Sequence, residues 1–407
     1  MHAASNYPLL VLLTGSVLLL ALLLKAGLER LRLPAMVGYL LLGFGIRAAR
    51  EGWGGLPPEL FSIFGFLAKL GLVALLFRVG LDSKLRGLLA QLKRASLVWI
   101  GDVLISAGVG FAACRWLLEL AVWPSALVAV AFTATSVGIT VAVWQQAGAL
   151  GSANGRLLTD LAELDDLSAV VLMALLLALL PALHAGGADG ALLLALRTGG
   201  WVLLKLLAFG AGCLLFSLYL ERRLTGLFQR LEPAPDPMLM VAGLGFVIAA
   251  LAGLAGFSLA IGAFFAGVIF SRDPRAVKME ASFLPIHELL SPFFFIGIGL
   301  QIEPGALAAG LGDGGLLLAA AVVAKLLADG LLAMPLAGPR GGLLIGASMV
   351  PRAEIALVVM HQGLQLGPWA VSSQLFAAVT TAAAGTCLLG PIAVRLLLAR
   401  WPQREQR

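Results

Sequence analysis

The sequence predicts an all-α polytopic membrane protein with about thirteen transmembrane helices. Two observations carry this prediction. Hydrophobic residues make up 60% of the 407 residues and charged residues only 12%, which is about half the charged share of a soluble domain. The apolar residues also form runs of about 17 to 30 residues, long enough to cross a hydrocarbon core of about 30 Å. Because lipid cannot satisfy an open backbone, these runs are expected to be helices.

The apolar runs predict the spans in chain order. The first, at 8–29, lacks a basic segment before it and a cleavage site after it, so we interpret it as a retained helix and not as a signal peptide. The chain is predicted to form one membrane domain at 1–398 and a short cytoplasmic tail at 399–407. The remaining spans are predicted at 34–48, 60–80, 95–118, 122–147, 154–181, 191–220, 236–255, 257–271, 285–301, 314–336, 341–366 and 369–398.

The basic residues predict the orientation of these spans. An odd number of spans places the two termini on opposite sides of the membrane. With the N-terminus outside, twenty of the 28 Lys and Arg residues fall on the cytoplasmic side and four fall outside, namely Arg47, Arg50, Arg115 and Arg197. The positive-inside rule requires such a bias. The sequence therefore predicts a multi-pass protein of the bacterial inner membrane, and its net charge of +6 does not indicate nucleic-acid binding.

Ionisable residues recur near the middle of several spans, where they are costly and therefore functional candidates. With a helical rise of 1.5 Å per residue, Asp165 and Asp166 lie about 17 Å into the sixth span. Lys325 lies about 16 Å into the eleventh span, and Arg352 and Glu354 lie about 16 to 20 Å into the twelfth. Hydroxyl residues occupy the same depth of the fifth span, namely Thr133, Thr135, Ser136 and Thr140.

The adjacent aspartates are expected to have different roles. Asp165 and Asp166 point about 100° apart on a helix, so one can pair with a cation from another span while the other faces a water-filled cavity. Lys325 is the first candidate partner. The alternative is that Lys325 pairs with Asp329, four residues further along its own helix. A membrane-embedded enzyme that uses the aspartates as acid and base is disfavoured, because adjacent residues do not face each other across a substrate.

Two spans have sequences typical of interrupted helices. Residues 131–140 are rich in small and hydroxyl side chains, and 346–354 contain Pro351, which breaks a helix interior. Broken helices near the membrane midplane are typical of transporter sites, because freed backbone ends can bind ions there. The two segments are seven spans apart, an odd offset that permits an inverted repeat. The pattern predicts a transporter that is not an enzyme, and the scattered His and Cys residues predict no cofactor or resident metal.

Several motifs follow one another along nearly the whole chain. They are 34–43 (PAMVGYLLLG), 75–82 (LLFRVGLD), 134–140 (ATSVGIT), Asp165-Asp166, 261–267 (IGAFFAG), 292–300 (PFFFIGIGL), Lys325 and 351–354 (PRAE). Together they resemble the bacterial monovalent cation:proton antiporter superfamily, which includes sodium/proton exchangers and potassium-efflux antiporters. The resemblance implies an elevator-type fold with two broken crossing helices.

The resemblance also implies domains and roles. A core at about 95–181 and 314–398 is expected to move against the remaining spans, which would form the dimerisation scaffold of a homodimer. Asp166 is expected to bind the proton and the transported cation alternately, and Asp165 to pair with Lys325. If the Lys325 ammonium lost its proton on cation binding, two protons would exchange for one cation, which is electrogenic.

The paired aspartates are the pattern of the sodium-type members, so Na⁺/H⁺ exchange is the expected function, with K⁺ or Li⁺ as alternative cations. Oxygen ligands for the cation are expected from Asp166 together with the hydroxyls of Thr133, Thr135 and Ser136. The lipid bilayer is the expected environment of the protein.

Other charged residues are expected to be structural. Arg352 and Glu354 match the structural ion pair that the family has on its second broken helix. Because these two residues are only two apart, a mid-membrane acid such as Glu163 is a further candidate partner. Asp102 and Asp160 add acids that the family pattern does not contain.

Overall fold

The computed structural model describes residues 7–30, 34–53, 58–82, 85–185, 238–254, 259–271 and 276–403, together with parts of 200–219. Within these residues every regular element is helical, so the all-α prediction is confirmed for them. In chain order the helices are α1 (Tyr7–Arg30), α2 (Ala35–Trp53), α3 (Pro58–Asp82), α4 (Leu85–Ala112), α5 (Val122–Thr133), α6 (Val137–Gln146), α7 (Ala153–Ala185), α8 (Met238–Leu254), α9 (Leu259–Ser271), α10 (Ala276–Leu300), α11 (Pro304–Lys325), α12 (Met334–Ser348), α13 (Glu354–Leu366) and α14 (Ser373–Arg400). Two of them continue as π-helical turns, α4 at Ala113–Leu117 and α11 at Leu326–Leu331.

Seven helices in the described part of the chain are long and apolar enough to cross a membrane. The segments α5 and α6 have 12 and 10 residues, and α12 and α13 have 15 and 13, with a kink inside α12 at Gly338. Each of these four is shorter than the roughly 20 residues that a span requires. They are the two interrupted helices that the sequence predicts, and each consecutive pair together reaches the length of a span.

Several helices begin earlier than the apolar runs indicate. Helix α4 begins at Leu85 where the predicted span begins at 95, and α11 begins at Pro304 where the predicted span begins at 314. The difference has a simple cause, because hydropathy reveals only the part of a helix that lies in hydrocarbon. The predicted span at 191–220 lies mostly outside the described residues.

The described helices form two groups that pack mainly within themselves. In one group α3 packs against α9 and α10, α2 packs against α1 and α10, and α8 packs against α9. In the other, α4 packs against α5 and α7, α11 packs against α14, and α12 packs against the π turn that follows α11. Between the groups, the main helix–helix contact among the described residues joins α2 and α11. We call the first the glycine-packed group and the second the broken-helix group.

Close backbone contacts hold the glycine-packed group together. A Cβ atom on Gly80 of α3 would collide with the carbonyl oxygen of Phe264, and a Cβ atom on Gly267 of α9 would collide with the carbonyl oxygen of Phe77. Gly43 of α2 is in similar contact with α10. Small residues let membrane helices approach so closely that van der Waals packing can hold them. The glycine-containing motifs of these helices are therefore packing surfaces.

Candidate functional site

The two helix breaks lie directly against each other. The chain is extended at Ala134 between α5 and α6, and the backbone N–H of Ser136 donates to the carbonyl of Pro351 in the second break at 2.7 Å. The indole N–H of Trp144 in α6 donates to the hydroxyl of Ser348 at 2.9 Å, and Thr140 donates to the Ser348 carbonyl. These bonds join the end of α12 to α6, so the two broken helices form one polar crossing.

Arg352 binds the C-terminal end of α5. Its buried guanidinium donates to the carbonyl oxygens of Phe132 and Ala134, and it lies 4.6 Å from the centre of the Phe132 ring. These carbonyls are left without helical partners where α5 stops. They also carry the partial negative charge of the helix dipole, which a cation stabilises.

Glu354 has the complementary position at the helix N-termini. It lies in the first turn of α13, and its Oε2 accepts a hydrogen bond from the hydroxyl of Ser136 at 2.7 Å. Ser136 is the residue before α6, so the carboxylate lies close to the positive ends of α6 and α13.

The ion pair that the family resemblance implies between Arg352 and Glu354 is not formed among the described contacts, because each side chain is bound at a helix end of opposite polarity. The side chain of Glu163 lies outside the described residues, so its suggested pairing stays a prediction.

Lys325 is bound by three aspartates at the end of α11. Its Nζ lies 2.6 Å from Oδ2 of Asp102, 2.9 Å from Oδ2 of Asp165 and 3.4 Å from Oδ2 of Asp329. All four side chains are at most 1% exposed. We call these four residues the Lys325 cluster. Both pairings that the sequence leaves open, with Asp165 and with Asp329, occur at once.

Two of the three aspartates also accept a hydrogen bond from a hydroxyl group. Thr135, between α5 and α6, donates to Oδ2 of Asp165 at 2.9 Å, and Ser106 donates to Oδ1 of Asp102 at 2.8 Å. The three aspartates are close enough to one another to act as metal ligands, but the Lys325 ammonium is in contact with all three and takes the position that a metal would need.

The adjacent aspartates differ in exposure. Asp165 is fully buried in the Lys325 cluster, whereas Asp166, the next residue of α7, is partly exposed. Of the hydroxyls expected to bind a cation, Thr135 contacts Asp165, Ser136 contacts Glu354, and Thr133 donates to the carbonyl of Val130 in its own helix. The structure therefore gathers the predicted residues in one region, while Thr133 is turned back onto α5.

Asp102 is a member of this site that the sequence does not select. The signal was present, because an ionisable residue inside an apolar span is a functional candidate by default. What the sequence does not show is that α4 turns Asp102 towards a lysine 223 positions further along the chain.

A family profile described as "Sodium/hydrogen exchanger, transmembrane" matches residues 16–400. The chain belongs to this family. The sodium/hydrogen exchanger family is one of multi-pass membrane transporters, so the superfamily assignment and the interpretation as a transporter, not an enzyme, are confirmed.

Relatives with assigned functions exchange protons for different cations. The high-affinity Na⁺/H⁺ antiporter NhaS3 of Synechocystis sp. is 26% identical over 75% of this chain, and the ammonium/H⁺ antiporter subunit AmhT of Alkalihalophilus pseudofirmus is 28% identical over 67% of it. The match covers 66% of the length of each of these two proteins. The Na⁺/H⁺-K⁺ antiporter GerN of Bacillus cereus is 25% identical over 89% of each chain.

A solved structure has the same fold. The sodium proton antiporter MjNhaP1 of Methanocaldococcus jannaschii superimposes with a TM-score of 0.64 over 97% of both chains, at 17% sequence identity. This exchanger-family chain therefore shares the architecture of a known antiporter.

Proposed function

We propose that this protein is a secondary active transporter that exchanges protons for a monovalent cation, with Na⁺ as the expected cation. The observation that carries the proposal is the pair of adjacent aspartates on α7. Asp165 is buried against Lys325, and Asp166, the next residue of α7, is partly exposed. In a chain of the sodium/hydrogen exchanger family, this arrangement supports one anchored carboxylate and one that reaches the transported ion.

The chemistry requires only one exchanging carboxylate. A proton and a cation neutralise the same negative charge on Asp166, so binding of one displaces the other and the two gradients are coupled. A desolvated cation also needs further oxygen ligands. Thr135 and Ser136 lie in the break before α6, where hydroxyls and freed carbonyls can supply such oxygens.

The aspartate pair is the basis for proposing Na⁺ as the transported cation. NhaS3 is named for Na⁺, GerN for Na⁺ and K⁺, and AmhT for ammonium, so relatives of similar identity differ in their ions. The Asp165-Asp166 sequence favours Na⁺ and electrogenic exchange, with K⁺/H⁺ exchange as the alternative.

The architecture supports an elevator movement of the broken-helix group, with a core at about 95–181 and 314–398, against the glycine-packed group. This proposal is supported by the limited contact between the two groups, because groups that share few contacts can move relative to each other. About thirteen spans, with the N-terminus outside and the C-terminus in the cytoplasm of a bacterial cell, agree with the distribution of basic residues. The homodimer implied by the family resemblance stays a prediction.

Transport in liposomes tests the function directly. Purified protein is reconstituted with an internal pH indicator, and Na⁺, Li⁺, K⁺ and NH₄⁺ are added outside in turn. We expect Na⁺ to drive the largest proton movement. Asp166→Asn should abolish the movement for every cation, because an amide cannot exchange a proton for an ion.

The matched control is Asp160→Asn, which changes a carboxylate six positions earlier on α7 and should leave exchange intact. Cation-driven proton movement in folded Asp166→Asn protein would assign the exchange to another group. A response to none of the four cations in wild-type protein would contradict the proposed function itself.

A further inference from the structure

The Lys325 cluster contains more acid than one lysine requires. Asp102, Asp165 and Asp329 converge on a single ammonium from α4, α7 and the π turn after α11. With all groups ionised, three negative charges would face one positive charge in a region closed to solvent. Burial of uncompensated charge is strongly unfavourable. The cluster therefore needs a further positive charge, and a proton is the smallest that fits.

Asp329 is the carboxyl group with the poorest surroundings for an ionised state. Lys325 donates hydrogen bonds to Asp102 and Asp165, but its 3.4 Å contact with Asp329 is not aligned as a hydrogen bond. Both side-chain oxygens of Asp329 are buried and have no hydrogen-bond partner among the described residues. A buried acceptor left without a donor is costly, whereas a protonated carboxyl becomes a donor itself.

An acceptor for such a proton is within reach. One carboxylate oxygen from each of Asp102, Asp165 and Asp329 lies within 4.8 Å of the other two. Among the described residues, Arg352 is a further buried cation near the cluster, but its hydrogen bonds go to the carbonyls at the end of α5 and not to the three aspartates. Asp102 lies at the shortest distance from Lys325, so it is the carboxylate best held in its ionised form.

We propose that Asp102 and Asp329 form a second proton-binding site, in which Asp329 holds a proton and donates it to the Asp102 carboxylate. This pair keeps an anion beside Lys325 when Asp165 moves away. With three ionised carboxylates and one ammonium, the cluster would carry two net negative charges. One bound proton reduces this to one net negative charge.

The role of this site in transport rests on the proposed function. In an exchange cycle Lys325 has no need to lose its proton when Asp165 leaves, because Asp102 stays in contact. Any proton beyond the one exchanged at Asp166 is then bound and released by Asp102 and Asp329. The test below uses resting protein, so its result does not depend on transport.

Infrared spectroscopy of the purified protein detects the proposed proton. A protonated carboxyl gives a C=O stretching band that is separate from the carboxylate bands. We expect Asp329→Asn to remove one such band. Asp102→Asn should shift it to higher frequency, because the charged acceptor is lost. The control is Asp313→Asn, which alters a partly exposed acid of α11 and should leave the spectrum unchanged. A wild-type band in Asp329→Asn overturns the proposal.

A double-mutant cycle tests whether Asp102 and Asp165 both stabilise the Lys325 ammonium. This test can also be made if the Asp329→Asn variant does not fold. We expect Asp102→Asn and Asp165→Asn each to lower the melting temperature modestly, because one ionised partner remains. The double variant should lose more than the sum, because Asp329, at 3.4 Å and not hydrogen-bonded to Lys325, is then the one carboxyl of the cluster left to balance the ammonium. Adding Lys325→Met to the double variant should restore part of the loss. Additive effects, or an Asp165→Asn loss as large as that of the double variant, would show that Asp102 does not hold Lys325.

Discussion

At the scale of single residues, the helix crossing depends on charges that match helix ends. Arg352 provides donors for two carbonyls at the end of α5, and its positive charge faces the negative end of that helix. Glu354 faces the positive ends of α6 and α13. Arg352 is thus bound to the backbone of the other broken helix, and Glu354 is bound to the Ser136 hydroxyl of that helix, so the two breaks are tied together.

Arg352→Gln should therefore affect stability before selectivity. The variant leaves buried carbonyls of Phe132 and Ala134 without a donor, at a cost of about 1–3 kcal/mol for each unsatisfied group. Arg352→Lys should recover only part of the loss, because an ammonium lacks the planar group that lies over the Phe132 ring. Thermal unfolding in detergent measures the effect, and the cation panel in liposomes measures selectivity.

The control for this substitution is Arg340→Gln, which changes an exposed arginine on α12. Its melting temperature should equal that of the wild type. If Arg352→Gln melted like the wild type but preferred a different cation, Arg352 would belong to the ion site and not to the support of the helix breaks.

The sequence predicts the depth of the candidate site residues better than it predicts their partners. The depth of a residue in the membrane follows from its position along the span, so Asp165, Asp166 and Lys325 can be predicted to lie at a similar depth. The partner of a side chain depends also on the rotation of each helix about its axis, and no spacing in the sequence reports this rotation. For that reason Asp102 is not selected, and the two candidate partners of Lys325 cannot be distinguished, although both contact it.

At the scale of helices, local composition predicts the elements and leaves their packing open. Hydroxyl residues and Pro351 correctly predict the two breaks, because both weaken a regular helix. The π turns after α4 and α11 have no such signal. The glycine motifs are visible in the sequence, but only the structure shows that Gly80 and Gly267 face each other.

The elevator proposal predicts that a cross-link between the two helix groups blocks transport. A cavity of about 320 Å³ separates α3 and α10 from α13, and His361 is bonded across it to Gln301 at 3.0 Å. Cysteines at both positions, in a background lacking the native cysteines, can be joined by a bifunctional reagent that is later cleaved. Exchange in liposomes should stop on cross-linking and return on cleavage.

A matched cross-link within one group should have no effect. Asp313 and Gln374 are hydrogen-bonded at 2.8 Å between α11 and α14, both of which belong to the broken-helix group. Cysteines joined there would move together in an elevator. Unchanged exchange with the 301–361 link in place would mean that the two groups do not move relative to each other.

At the scale of the whole molecule, the distribution of charge predicts how the protein lies in the membrane. Basic residues are retained on the cytoplasmic side during insertion, and most of them lie on one side of the predicted spans. Arg47 near the end of α2 is predicted to lie outside, and Arg340 in α12 is predicted to lie in the cytoplasm. We expect a membrane-impermeant thiol reagent to label Arg47→Cys in intact cells and Arg340→Cys only in everted vesicles. Arg115→Cys, just beyond α4, provides a second outer position and should behave like Arg47→Cys. Labelling of Arg47→Cys and Arg340→Cys from the same side would contradict the predicted topology, because an odd number of crossings separates these two residues.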